Sequence, residues 1–297
     1  MEQLNSELKL VWDGKAIIGE GPSWDHREGH LVWIDINGKT VNLFDPQKET
    51  NRTILLDLKV GAAVPTQQGG LILAAEQGFY LLDLKTEQLT LLSSPEEDKP
   101  LNRFNDGKCD RAGRFWAGTM SRDGKLPTGS LYCVEASGIH RKAVENVTIS
   151  NGLDWSLDHK TMYYIDSRTR QVVAYDYSLH SGEITNPRTV VTIPDGEGVP
   201  DGMTLDAEGM LWVAQWGGWQ VSRWDPATGK KIGSIAVPAS QTSSCAFGGE
   251  DYDELYITTA RNGLSEAQLE KEPLAGGLFR IKLGVKGNPT NFYGDKA

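Results

Sequence analysis

The sequence predicts an all-β fold, and three observations lead to that prediction. A unit of short strand-like segments, separated by Asp/Gly turns, recurs six times along the 297 residues. The segments, such as residues 31–35 and 211–214, are rich in the β-branched and aromatic residues that strands prefer. Helical signal is confined to one short stretch, where Ser265 and Gln268 have the spacing of a capping box.

The repeats predict how many sheets the fold contains. They begin at Gly19, Gly61, Asn105, Asn151, Asp201 and Ser243, roughly 42 to 50 residues apart, which is the range of propeller blades rather than of helical solenoids. We therefore predict a six-bladed β-propeller with four-stranded antiparallel blades. A large open β-sandwich is the alternative, and it would leave the sixfold repeat unexplained.

The strand-like residues 8–12 precede the first repeat and belong to no blade of their own. We expect this N-terminal strand to pair in the last blade and close the ring, since the first and last blades otherwise meet as unpaired edges. No Ser/Gly-rich run, Pro cluster or charge block interrupts the middle of the chain. The sequence is therefore expected to form a single domain over residues 1–297.

Composition excludes several function classes. The 40 acidic and 30 basic residues give a formal charge of −10, which argues against nucleic acid because phosphate binding needs clustered Lys and Arg. No apolar run approaches the ~20 residues of a membrane span, and the first residues resemble no secretory signal. Three cysteines without a CxxC motif favour a reduced, cytoplasmic chain. Serine-hydrolase, phosphotransferase and nicotinamide motifs are missing from the sequence.

Polar side chains stand at equivalent places in four repeats. In a propeller these places meet at one mouth of the central channel, and here they hold Glu20, Asn105, Asn151 and Asp201. Two carboxylates at close range are costly to bury unless a cation lies between them. Oxygen ligands suit Ca²⁺, Mg²⁺ or Mn²⁺, and carboxylates also bind Zn²⁺. Turn chemistry explains any single Asx-Gly pair, but four pairs in phase with the repeat favour a metal site.

Other polar residues near the repeat starts are assigned more ordinary roles. Arg103 can hydrogen-bond substrate hydroxyls or a carboxylate, with a surface salt bridge as the alternative. Cys109 and Cys245 are expected to be packed in the interior. A set of aspartates matches between the third and fourth repeats and is interpreted as structural hydrogen-bonders in strand-to-strand turns: Asp106, Asp110, Asp154 and Asp158.

Five motifs, taken together and in order, resemble those of the SMP-30/gluconolactonase/luciferin-regenerating-enzyme family. They are IGEGPSW, RFNDGKCD with GRFWAGTM, SNGLDWS, PDGM and LSEAQLEKEPLAGGLFRI, and the resemblance runs from about residue 10 to about residue 283. It implies a six-bladed propeller, in agreement with the repeat count. It also implies one divalent metal ion held by Glu20, Asn151 and Asp201, with Asp201 acting as general base as well.

The resemblance extends to substrate contacts. It implies that Arg103 and Asn105 contact the substrate, with Asn105 near a metal-bound water. The animal lactonases of this family carry a glutamate after the GTM segment, and here the nearest match is Asp123, one methylene shorter. Sugar preference therefore depends on whether Asp123 takes that role.

The function expected from these residues is that of a gluconolactonase-like enzyme, which opens small sugar lactones with metal-activated water. The metal is one of Ca, Zn, Mn, Mg or Fe, and the partner is a small-molecule lactone. Trp212, Trp216 and Trp219 are expected to help form the mouth. Phosphotriester hydrolysis is one alternative, and a calcium-binding or interaction propeller without catalysis is another. The axis offers only three or four protein ligands, which favours an open, catalytic site.

Overall fold

The structure is a computed structural model that describes residues 7–76 and 78–294. The described part contains 24 strands, one 3-10 turn (Ser167–Thr169) and one α-helix, α1 (Glu266–Lys271). The strands are β1 (Lys9–Trp12), β2 (Gly19–Asp25), β3 (His30–Asp35), β4 (Thr40–Asp45), β5 (Thr50–Leu55), β6 (Val60–Pro65), β7 (Leu71–Ala75), β8 (Gly78–Leu82), β9 (Leu89–Ser93), β10 (Asn102–Cys109), β11 (Phe115–Ser121), β12 (Gly129–Val134), β13 (His140–Val147), β14 (Ser150–Trp155), β15 (Thr161–Asp166), β16 (Gln171–Tyr177), β17 (Ile184–Thr192), β18 (Val199–Leu205), β19 (Leu211–Trp216), β20 (Gln220–Asp225), β21 (Lys230–Ala236), β22 (Gln241–Gly248), β23 (Glu254–Ala260) and β24 (Leu278–Lys282).

Consecutive strands pair antiparallel and form four-stranded sheets, so the predicted all-β class is confirmed. Four such sheets are β2–β5, β6–β9, β10–β13 and β14–β17. The remaining strands form one eight-stranded sheet, in which a single bridge between Trp216 and Gln241 joins β18–β21 to the strands that follow. No helix within the described residues is long and apolar enough to cross a membrane.

The first strand of each four-stranded unit faces its counterparts in the neighbouring units. We call these first strands, β2, β6, β10, β14, β18 and β22, the inner strands. Each inner strand contacts the next one in this order, and β22 contacts β2. Hydrophobic side chains fill the space between adjacent sheets. Ile34 of the first sheet and Leu73 of the second share one core cluster, while Phe79 and Phe115 join the second sheet to the third. The hydrophobic core therefore lies between the sheets, and the inner strands can carry polar side chains such as Glu20 and Asp201.

The N-terminal strand pairs at the far end of the chain. β1 lies antiparallel to β24, with Lys9 opposite Arg280 and Leu10 opposite Phe279. The predicted short helix is also present between β23 and β24. The backbone N–H and the hydroxyl of Ser265 both donate to Oε1 of Gln268, at 3.0 and 2.9 Å.

Two of the four matched aspartates lie in turns, as predicted. Oδ1 of Asp158 accepts from Ser156 Oγ at 2.6 Å in an exposed turn. Asp110 is fully buried after β10, where its Oδ2 accepts from the Arg114 guanidinium and the Tyr177 hydroxyl, both at 2.7 Å. A buried carboxylate that accepts this many bonds fixes the turn.

Candidate functional site

Each of the six innermost strands carries a one-residue β-bulge at its repeat start. In each case the inner strand has one residue more than the strand it pairs with. The extra residue lies between Glu20 and Ser23, Val60 and Ala62, Phe104 and Gly107, Asn151 and Leu153, Pro200 and Met203, and Thr242 and Ser244. A bulge breaks the strict alternation of side chains and re-aims those within it. The sequence positions that matched between repeats are therefore the positions at which the inner strands turn polar side chains toward one another.

Glycine beside the bulge lets adjacent inner strands approach closely. A Cβ atom on Gly152 would lie 2.7 Å from the carbonyl oxygen of Asp201 and 2.6 Å from Cβ of Met203. Real Cβ atoms do not occupy such positions, so glycine is required here for steric reasons. The glycine that follows Asn151 in the SNGLDWS motif thus sets the distance between β14 and β18.

Glu20 and Asp201 are buried carboxylates in one electrostatic cluster. Burial raises the pKa of Glu20 to about 8, and the negative charge of Asp106 adds to the rise. Burial also raises the pKa of Asp201 well above its usual value, and the charges of Glu20 and Asp106 raise it further. Gly21 donates its N–H to Oε2 of Glu20 at 2.8 Å, which offsets only part of the burial. Three mutually repelling acids therefore hold protons more tightly than exposed carboxyls do.

Arg103, Asn105 and Asn151 form a hydrogen-bonded row beside these acids. Nη1 of Arg103 donates to Oδ1 of Asn105 at 2.7 Å, and Nδ2 of Asn105 donates to Oδ1 of Asn151 at 3.1 Å. Nδ2 of Asn151 donates to the hydroxyl of Ser167 at 2.8 Å. Burial lowers the pKa of Arg103 to about 10 although Glu20 and Asp201 favour its charge. The row fixes the amide orientations: Oδ1 of Asn151 accepts from Asn105, and a hydrogen bond from the Asn151 side chain works against the rise in the pKa of Asp201.

The interpretation of Asp106 and Asp154 as turn residues is wrong. Both lie on inner strands, because β10 continues to Cys109 and β14 to Trp155 before the turns begin. Asp106 is buried, and its pKa is raised to about 6, chiefly by burial. Asp154 accepts from Nζ of Lys108 at 2.7 Å. Asp106 is the acid of the cluster that the sequence reading missed, and the NDG triplet was the available signal.

Asp123 stands apart from the other predicted site residues. It is exposed in the loop after β11, where its Oδ1 accepts from Ser121 Oγ at 2.9 Å and from the Lys125 N–H at 3.1 Å. These bonds, the hydroxyl of Ser121 first, hold its pKa below the usual value. Among the described residues its hydrogen-bond partners are Ser121 and Lys125 rather than members of the cluster, and its role in substrate binding stays a prediction.

The prediction that three tryptophans form the mouth is wrong for Trp212. Trp212 is buried in the core, and its Nε1 donates to Oδ2 of Asp206 at 2.9 Å. Trp216 lies half-buried at the end of β19, and Trp219 is exposed in the turn that follows. Cys245 is buried, as expected, and burial raises the pKa of its thiol to about 12.

A cavity of about 280 Å³ lies along the inner strands on the far side of Asp106. Asp106, Lys108 and Asp154 line it, together with the C-terminal residues 288–291, whereas Glu20, Asn151 and Asp201 do not. Asp106 therefore borders both this cavity and the cluster.

The donor set of the cluster fits a divalent cation. Glu20 and Asp201 are buried, and among the described residues Arg103 is the cation that acts on both of them; the side chain of Asn151 hydrogen-bonds Asp201. Within residues 7–76 and 78–294, no three His, Cys, Asp or Glu side chains group as metal ligands. The candidate site instead combines carboxylate and amide oxygens, which suits a hard cation.

The chain matches a family model described as the SMP-30/Gluconolactonase/LRE-like region over residues 18–261. The chain belongs to this family. The resemblance in the five motifs is thereby confirmed, and the matched region contains every residue of the candidate site.

Relatives of the chain are similar over almost their whole length. It is 43% identical over 287 residues to the Bacillus subtilis protein YvrE, provisionally named a sugar lactone lactonase, with 96% of this chain and 98% of that protein covered. It is 44% identical over 284 residues to regucalcin of Xenopus laevis, with 93% and 95% covered.

Two solved structures share the fold closely. A luciferin-regenerating enzyme matches with a TM-score of 0.92 at 33% identity, covering 99% of this chain and 100% of that one. A calcium-binding regucalcin from Agrobacterium tumefaciens matches with a TM-score of 0.93 at 29% identity, covering 97% of both chains.

Proposed function

We propose that this protein is a divalent-metal-dependent hydrolase that opens small sugar lactones, with Glu20, Asn151 and Asp201 as the metal ligands. The observation that carries the proposal is the buried pair Glu20 and Asp201: burial raises the pKa of both, the charge of Asp106 adds to both, and the charge of Glu20 adds to the rise at Asp201. Such a pair is stabilised when a cation replaces the protons. The names of the relatives, which include sugar lactone lactonase and regucalcin, support the same substrate class.

We further propose that the chain is one domain, a six-bladed propeller whose last blade consists of β22, β23, β24 and β1. The closed cycle of contacts among the six inner strands supports this count. The eight-stranded sheet then corresponds to two blades, since only the bridge between Trp216 and Gln241 joins them. The ring would bring all six bulges to one mouth.

The proposed chemistry divides among the residues of the cluster. When bound, a divalent ion supplies Lewis acidity toward the lactone carbonyl and toward water. Asp201 takes the proton from the attacking water, and Glu20 and Asn151 complete the ligand set. Arg103 donates to ring hydroxyls, and its hydrogen bond to Asn105 fixes its position. Oδ1 of Asn105 has a second lone pair with which it can accept from the substrate. Asp123 is proposed as a further hydroxyl acceptor from the neighbouring loop.

The test is a panel of aldonolactones assayed with a pH indicator. The protein is first treated with a chelator, and Ca²⁺, Mg²⁺, Mn²⁺, Fe²⁺ or Zn²⁺ is then restored separately. We expect turnover of at least one lactone to disappear with the metal and to return with it. Turnover that survives chelation would contradict the metal dependence, and tight metal binding without turnover of any lactone would favour a calcium-binding protein instead.

A matched pair of variants tests the metal site. Glu20→Gln keeps the shape of a buried ligand and removes its charge, so metal affinity falls by at least about tenfold while the fold persists. Glu28→Gln makes the same change at an exposed position on the turn after β2 and leaves metal affinity unchanged. Equal metal affinity in the two variants would show that Glu20 is not a ligand.

A further inference from the structure

Glu96 is a buried carboxylate that the proposed chemistry does not use. It is completely inaccessible to solvent, in the loop 94–101 that connects β9 to β10. We call this the first mouth loop, and residues 122–128, between β11 and β12, the second mouth loop. Asn102 pairs with Ser121 at the shared end of β10 and β11, so the two loops leave the sheet side by side next to Arg103.

Donors from four directions converge on this carboxylate. Oε1 of Glu96 accepts from the Tyr132 hydroxyl at 2.6 Å and from the Thr119 hydroxyl at 3.2 Å, both on strands of the sheet beneath. Oε2 accepts from Nδ2 of Asn102 at 2.8 Å. Nζ of Lys99 lies 3.4 Å from Oε1. A side chain with two acceptor oxygens suits this set of donors.

The same network reaches the second mouth loop through Asn102. Nδ2 of Asn102 also donates to the carbonyl of Thr128 at 3.0 Å, and the Thr128 hydroxyl donates to Oδ1 of Asn102 at 2.7 Å. Nζ of Lys99 donates to the same carbonyl at 3.2 Å. Farther out, the N–H of Arg122 donates to the carbonyl of Leu101 at 2.9 Å. The two loops are thus hydrogen-bonded to each other, and Asn102 and Lys99 connect Glu96 to the second loop.

We propose that Glu96 is a positioning residue that fixes both mouth loops as one unit and so sets substrate affinity. Glu96 accepts a hydrogen bond from Asn102, which immediately precedes Arg103, and the second mouth loop carries Asp123. Arg103 and Asp123 are the two residues proposed to bind the sugar hydroxyls. Glu96 touches neither the cluster nor the substrate. The inference rests on the proposed lactonase function for its kinetic part only.

Glu96→Gln is the principal variant because it preserves volume. The glutamine amide has one acceptor oxygen and one NH₂ group, so either its NH₂ group faces Nδ2 of Asn102, or the Tyr132 and Thr119 hydroxyls must turn from donating to accepting and Lys99 loses a charged partner. Asn102 cannot turn its amide to compensate without placing its oxygen against the Thr128 carbonyl. Thr128→Val is a milder second variant in the exposed loop, since it removes only the hydroxyl that bonds Asn102.

The control is Asp110→Asn, which perturbs a fully buried carboxylate at the opposite end of the same sheet. On the best lactone, with metal saturating, we expect KM of Glu96→Gln to rise about tenfold, as for loss of one charged hydrogen bond. Its kcat should stay within about threefold and its metal Kd within about twofold of the parent values. Thr128→Val should raise KM about threefold, and Asp110→Asn should lower stability without changing KM.

Hydrogen exchange separates this inference from the proposed function, because it requires no turnover. Amides of both mouth loops should lose protection together in Glu96→Gln and keep it in Asp110→Asn. A parent protein without lactonase activity would refute the proposed function, but the hydrogen-exchange experiment would still test whether Glu96 fixes both loops. Unchanged exchange in the second loop, or an active parent whose KM is unaffected by Glu96→Gln, would overturn the positioning role.

Discussion

The raised pKa of Glu20 predicts that the metal-free protein loses stability as pH rises. The folded carboxyl keeps its proton up to about pH 8, whereas the unfolded chain releases it near 4.5. Between these values the folded state binds more protons than the unfolded state, so the free energy of unfolding falls as pH increases. The full shift corresponds to about 5 kcal/mol, most of which falls between pH 5 and pH 8.

Glu20→Gln removes this dependence, because an amide does not titrate. Without Glu20, the repulsion that raises the pKa of Asp201 also weakens. In chelator, the variant should therefore unfold at higher urea than the parent at pH 8, by roughly 1 M, and at similar urea at pH 5. With saturating divalent metal at pH 8 the order should reverse, since the ion stabilises only the ionised ligand.

The measurement is urea unfolding followed by tryptophan fluorescence at pH 5 and pH 8, with and without metal. Glu28→Gln serves as the control, and its unfolding midpoints should follow those of the parent. If the chelated parent were equally stable at both pH values, or if Glu20→Gln were the less stable protein at pH 8, Glu20 would not be the strained acid described above.

Three further predictions concern the same cluster. Asp201→Asn should reduce lactonase kcat by at least ~10²-fold at saturating metal, and near-parental kcat would make Asp201 a ligand at most. Gly152→Ala should weaken metal binding by at least about tenfold, because its Cβ would meet the Asp201 carbonyl, whereas Gly284→Ala, with nothing within 4 Å, should not; calorimetric titration measures both. Arg103→Ala should mainly raise KM in steady-state assays, and a selective loss of kcat would refute its role in binding.

Much of the candidate site follows from the periodicity of the sequence. Glu20, Asn151 and Asp201 occupy matching places in their repeats, and matching places in repeated units acquire matching environments. The short helix after Ser265 was predictable for a local reason, since its capping box lies within four residues. Both inferences need only spacing.

Asp106 and Trp212 show where such reasoning fails. The alternation of side chains in a strand has a period of two, so one extra residue exchanges the two faces. The bulge in β10 does this between Phe104 and Gly107, and it turns Asp106 from a supposed turn residue into a member of the acid cluster. Trp212 was misplaced because a core position and a mouth position look alike until the partner of the indole, Asp206, is known.

The pairing of β1 with β24 has a consequence for synthesis on the ribosome. Lys9 leaves the exit tunnel long before its partner Arg280. Throughout translation the nascent chain therefore carries an N-terminal segment without its partner, as well as an open sheet edge. The units from β2 onward can form in order as they emerge, but β1 remains without its partner strand until β24 has been made.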